Sequence, residues 1–178
     1  RALADTGVGA IVVHSRFAER LSREAERDQE LSDVGADSFP EASGYFPSVA
    51  DAVEPGSAYL SLLERSAAAV DVPLIASLNA AGVGNWVSYA RRLADAGASA
   101  IECNVYFVPG DVTLSGADVE ARQLEIVAAV TEAVSLPVAV KLSPFLSSPG
   151  NFALRVVDAG ASGLVLFNRF LQPSMDVE

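Results

Sequence analysis

The stretch Leu136–Pro144, LPVAVKLSP, decides the fold. Between its two prolines runs a short series of small and β-branched apolar residues, too short for a helix and bounded as strands are. A run of this kind is buried on both faces, which is the habit of a parallel sheet. Lys141 lies inside it, and an unpaired ammonium in hydrocarbon is strongly disfavoured. Lys141 therefore marks the place where the strand meets something polar.

Working outward, the same strand signal recurs with two kinds of start. Gly7, Gly97 and Gly160 each close a helical pattern and lead into an apolar run, whereas Pro73 and Pro137 stop a helix just ahead of one. Gly97 to Gly160 is 63 residues and Pro73 to Pro137 is 64. One βα unit then takes roughly 32 residues, a normal length. Amphipathic patterns at Ser57–Val70, Asn85–Ala96, Ala117–Val134 and Asn151–Ala159 supply the helices between strands. The alternation predicts a parallel sheet with right-handed crossovers, and the expected fold is α/β, a (β/α)8 TIM barrel. A doubly wound open sheet is the competing architecture. The glycine turn that would favour it is missing after every strand, and NAAGVGN lacks the GxGxxG spacing.

An eight-unit barrel needs about 250 residues. The 178 residues are accordingly expected to form a single partial barrel domain with five central βα units, strands 2 to 6. The opening RALADTG, which has no methionine and reads as the last turns of a helix, fits that expectation. Gly7 to Gly97 is 90 residues, 27 more than the repeat requires, which places an insertion at residues 16–56 after the first strand. Within it, Phe39, Tyr45 and Phe46 are bracketed by Pro40 and Pro47 and read as a lid, a subunit contact or a small satellite core.

Composition narrows the partners. A formal net charge of -11 repels phosphate backbones and anionic lipid, so neither nucleic acid nor a membrane is expected. No apolar run approaches the ~20 residues of a membrane span. The one cysteine, Cys103, excludes an intrachain disulfide and suits a reducing cytoplasm, and the one histidine has no partner at metal-ligand spacing. The partners expected are a small-molecule substrate and a second copy of the chain in a homodimer.

Chemistry should gather at the C-terminal ends of the strands. Those ends are His14-Ser15, Asn79, Asn104 with Tyr106, Lys141 with Ser143, and Asn168-Arg169. A lone Asn at a strand end is more often a satisfied structural residue, but five polar ends in parallel describe a pocket. Alternation puts Glu102, Asn104 and Tyr106 on one face and Ala139, Lys141 and Ser143 on one face of another strand. Glu102 can then pair with Lys141, with a structural ion pair that holds no ligand as the alternative. An asparagine offers a donor and an acceptor together, which suits the edge of a flat heterocycle such as a flavin or a pyrimidine.

These residues carry a resemblance. AGASAIECN at Ala96–Asn104, PVAVKLSP at Pro137–Pro144 and GLVLFNRFLQP at Gly163–Pro173, in that order, resemble the class 1 dihydroorotate dehydrogenase family, most closely its dihydroorotate dehydrogenase-like flavoproteins. The resemblance implies a (β/α)8 barrel that binds FMN and an oxidoreductase acting on CH-CH groups in pyrimidine metabolism. It implies that Lys141 contacts the flavin ring, that Ser15, Asn79 and Asn104 line the cofactor, and that Asn104 and Asn168 reach substrate. His14 stands where the family has the lysine of a Lys-Ser pair. The family's Ser-Cys-Pro-Asn run is replaced by Tyr106-Phe107-Val108-Pro109, so its cysteine base is absent and dihydroorotate as substrate stays open. Cys103 lies on the opposite face of the strand and does not replace it. Tyr106 and His14 are the candidate proton carriers, with Lys141 stabilising charge on the reduced ring. The family's phosphate cradle would fall beyond Glu178. Two other readings remain at this point: a lyase in which Lys141 forms a Schiff base, and a barrel without catalytic activity.

Overall fold

The structure is a computed structural model and describes residues 1–17, 57–79, 83–106 and 109–170. In chain order its elements are β1 (Ile11–Phe17), α1 (Ser57–Ala67), β2 (Leu74–Asn79), α2 (Val83–Asp95), β3 (Ala100–Asn104), α3 (Gly116–Ala133), β4 (Val138–Lys141), α4 (Pro149–Asp158) and β5 (Gly163–Val165). Arg16 and Phe17 belong to β1 and Ser57 opens α1. The rest of the expected insertion, residues 18–56 with Phe39, Tyr45 and Phe46, lies outside the described residues.

The five strands are all parallel and lie in the order β1-β2-β3-β4-β5. Sequential order decides between the two architectures. Right-handed crossovers that always step in one direction leave every helix on the same side of the sheet, whereas a doubly wound sheet must reverse. The buried residues agree. Leu74, Ala76, Leu78, Ile101, Cys103, Val105, Val138, Val140 and Leu142 form one core with Tyr59 and Leu63 of α1, Trp86, Ala90 and Leu93 of α2, Ile126, Val127 and Val130 of α3, and Phe152 and Val156 of α4. Each helix supplies them at three- and four-residue spacing, the period that turns one stripe toward the sheet. The alternate strand positions, Ser77, Asn79, Glu102, Asn104 and Lys141, occupy the other face. The fold is that of a partial (β/α) barrel.

The strand starts are built as the glycine and proline pattern requires. Gly7, Gly97 and Gly160 adopt φ of 83°, 92° and 102°, the left-handed closure that lets a helix end and turn into a strand. The carbonyls of Pro73 and Pro137 accept the first ladder bonds, from the Ile11 and Ile101 N–H groups at 2.9 and 3.0 Å. Proline's missing donor costs nothing at those places.

Ser115 begins α3 with a capping box: its Oγ accepts from the Asp118 N–H at 3.2 Å, and Asp118 Oδ2 accepts from the Ser115 N–H at 3.1 Å. The Ser115 hydroxyl and then its backbone N–H hold the Asp118 carboxyl below its ordinary value. Replacing Ser115 by alanine should cost about 1 kcal/mol near neutral pH. Because the folded value is the lower one, Asp118 lends stability above its unfolded value and loses it as pH falls through the folded value. Urea titrations of Ser115→Ala against wild type should therefore show the penalty shrinking as the solution is acidified into and below the carboxylate range.

Candidate active site

β2, β3 and β4 bring Ser77, Glu102 and Lys141 onto the face that none of the described helices covers. Lys141 Nζ lies 2.7 Å from Glu102 Oε1, with side chains 24% and 5% exposed. In the strand register Lys141 stands opposite Asn104 and Ala139 opposite Glu102, so the lysine reaches back along its neighbour. The small Ala139 side chain makes room for that reach. Ser77 Oγ donates to the same carboxylate oxygen at 2.8 Å. Its one proton is thereby used, so Ser15 donates to Ser77 in the short hydroxyl contact between them. Lys141 keeps two N–H hydrogens for another partner.

Ser15 reaches this chain through a bulge. Val13 pairs with Ala76 and Arg16 with Leu78, leaving His14 and Ser15 opposite the single residue Ser77. The pair the sequence groups together is therefore split: Ser15 joins Ser77, while the exposed His14 sets its ring edge-on to Tyr59 of α1, 5.4 Å between centroids. His14 does not join the cluster.

Asn168 arrives by an equally unexpected route. β5 ends at Val165 rather than running through Asn168. Leu142 donates to the Val165 carbonyl at 3.1 Å and accepts from the Asn168 N–H at 2.9 Å, so Leu166 and Phe167 loop out between the two bonds. Asn168 then spans β4 and donates from Nδ2 to Asn104 Oδ1. The Arg169 N–H donates to Asn168 Oδ1 at 2.8 Å, which fixes the orientation of both amides. Both amide oxygens are thus engaged inside the protein. The Asn104 NH2 and the second Asn168 Nδ2 hydrogen have no partner among the described residues, so hydrogen is what the two asparagines have most freely to offer.

The other candidates sit nearby without joining this network. Asn79 is buried at the end of β2, on the same face as Ser77. Tyr106 follows β3, and its buried hydroxyl has no hydrogen-bond partner among the described residues. Cys103 faces the helix layer, where burial first and the Glu102 charge second push its thiol up to about 12. It is no base at neutral pH. Ser77 and the Arg169 backbone N–H are members that residue pattern alone overlooked, although Ser77 lies two residues before Asn79 and shares its face. Buried Gln123 of α3 is a further one, donating to the Val105 carbonyl at 3.1 Å and bracing the end of β3.

Donors gathered at the C-terminal ends of parallel strands are where an α/β barrel does its chemistry. No protein-family model matches the chain. Among curated proteins, an Aeropyrum pernix protein assigned by name to dihydroorotate dehydrogenase A (fumarate) is 33% identical over 143 residues, covering 78% of this chain and 45% of that protein. The chain is a sequence relative of the dihydroorotate dehydrogenases. A second, dihydroorotate dehydrogenase A (fumarate) of Lacticaseibacillus paracasei, is 34% identical over 112 residues, 60% of this chain and 38% of that protein. The chain thus spans less than half the length of the dihydroorotate dehydrogenases it matches. Two solved structures of phosphonopyruvate hydrolase, one complexed with oxalate and magnesium, cover 92% of this chain and 59% of theirs, with TM-scores of 0.51 and 0.50 and identities of 21% and 22%. At that identity they speak for the barrel fold alone. Among the described residues, no helix is long and apolar enough to cross a membrane.

Proposed function

We propose that this chain carries the ring-facing and substrate-facing part of an FMN-dependent oxidoreductase that moves hydride between a CH-CH bond of a small substrate and the flavin. The observation that carries the reading is the donor cluster of Lys141, Asn104 and Asn168 at the strand ends, in a chain whose relatives are named as dihydroorotate dehydrogenases. The donor set fits the group. The pyrimidine side of a flavin ring is edged with acceptor oxygens and nitrogens, and Lys141 and Asn104 have hydrogens to give it. Ser15 and Asn79 complete the ring-facing set. When bound, FMN supplies the two-electron acceptor that no side chain provides.

Lys141 places positive charge where negative charge develops on reduction. Asn104 and Asn168 orient a substrate that presents carbonyl or carboxylate oxygens. Tyr106 is the proton carrier, since its hydroxyl is not committed to another described residue. His14, held against Tyr59, is left out of that role. A Schiff-base lysine must offer a free lone pair, whereas Lys141 Nζ is bonded to Glu102, which supports the flavin reading over the lyase. The partner is a small molecule of the cytoplasm, a compartment where a lone thiol such as Cys103 stays reduced.

Purified full-length protein tests the reading. It should be yellow, with the flavin absorbance lost on adding dithionite. Colourless protein that borohydride traps on Lys141 with a carbonyl substrate would replace the oxidoreductase with a lyase.

A further inference from the structure

Lys141 is the single lysine of the sequence, and the other 11 of its 12 basic residues are arginines. A compact, rotatable ammonium at this position is therefore the exception in a chain that otherwise uses the planar guanidinium. Its surroundings are equally particular. Ser15 donates to Ser77, Ser77 to Glu102 Oε1, and Lys141 to that same oxygen, a line that crosses four strands from β1 to β4. Ser77 and Glu102 are 2% and 4% exposed. Burying a carboxylate and a hydroxyl together is unfavourable unless each is bonded, and here each is.

A carboxylate that merely balanced the lysine's charge would need no such line. Balance is indifferent to which oxygen is used or where in its torsional range the side chain stands. The hydroxyls of Ser77 and Ser15 instead fix one oxygen of Glu102, and that oxygen draws Lys141 back from its register partner Asn104 toward the floor of the face. We propose that Glu102, held by Ser77 and through it by Ser15, is a positioning residue that sets the depth and direction of the Lys141 ammonium, so that its two remaining hydrogens meet the bound group. The inference rests on the assignment of Lys141 to the flavin ring, but its test does not.

Full-length wild type, Ser77→Ala and Glu102→Gln are compared by two readouts. The first is the acylation rate of Lys141 by an N-hydroxysuccinimide ester before FMN is added, read from the mass of the Lys141 peptide. The second is the FMN dissociation constant from fluorescence. Losing a charge-assisted bond should speed acylation about ten-fold in Glu102→Gln. Ser77→Ala leaves the charge untouched, so a purely balancing Glu102 predicts no change there, whereas the positioning role predicts a smaller rise in the same direction and weaker FMN binding. Unchanged acylation in Ser77→Ala overturns the inference, whatever the flavin does. Faster acylation in a protein whose wild type takes up no FMN keeps the tether and removes the flavin reading. Where Glu102→Gln does not fold, Ser77→Ala decides alone.

Discussion

Lys141→Met should lower the stability of the protein by about 3 kcal/mol, because it leaves a buried carboxylate without its cation. The Glu102 side chain is 5% exposed and, among the described residues, would keep only the Ser77 hydroxyl as a partner. Adding Glu102→Gln to the same protein should recover most of that loss, since an amide is far cheaper to bury than an unpaired charge. Flavin binding should not recover with it, because the double variant restores neutrality and not the ammonium. Urea unfolding and FMN titration of the two variants separate these effects. Equal stability of Lys141→Met and wild type would show that the ion pair contributes nothing to the fold, and full flavin binding in the double variant would remove Lys141 from the site.

Asn104→Asp is expected to weaken substrate and flavin binding by about 100-fold while leaving the fold intact, the size of a lost donor plus a new repulsion. The reason lies in the direction of the amides. Asn104 Oδ1 already accepts from Asn168, and an aspartate oxygen accepts equally well, so the internal bond survives. What disappears is the outward NH2, replaced by a charge that repels acceptor oxygens on a ligand. The new carboxylate also stands opposite Lys141 in the register and competes with Glu102 for it. Thermal melting within a few degrees of wild type, with binding lost, is the expected pair of results; normal binding would return Asn104 to a purely structural role.

Much of this was legible from residue order because it follows from local periodicity. Alternation with period two separates Glu102 and Asn104 from Cys103, and pairs Lys141 with Ala139 rather than Val140, and the structure keeps each on the face assigned. The glycine closures at Gly7, Gly97 and Gly160 are equally local, since the positive φ is demanded by the chain's own turn. The Glu102–Lys141 pair needed only the further assumption that consecutive strands are neighbours, which sequential order satisfies. Three features were not legible. The split of His14 from Ser15 depends on how β1 pairs with β2, a property of two strands and not of either alone. The meeting of Asn168 with Asn104 needs the chain after β5 to fold back along Leu142. The outward polarity of the two amides is decided by one backbone N–H at Arg169, and residue type alone leaves it open.

The bulge in β1 turns part of the site into a matter of counting. Ile11 and Val13 share the helix-facing parity of Leu74 and Ala76, and by plain alternation Ser15 would share it too. One supernumerary residue inverts the phase, and Ser15 comes out beside Ser77. Paired without the bulge, His14 would stand opposite Ser77 and Ser15 opposite Leu78, every chemical group of the line present yet the serine on the wrong side of the sheet, because a slip of one exchanges the two faces. For β1, then, the spacing of the letters carries as much of the message as the letters do: a strand lacking His14 would bring its serine opposite Ser77 by plain alternation, whereas this chain reaches the same place only through an extra residue.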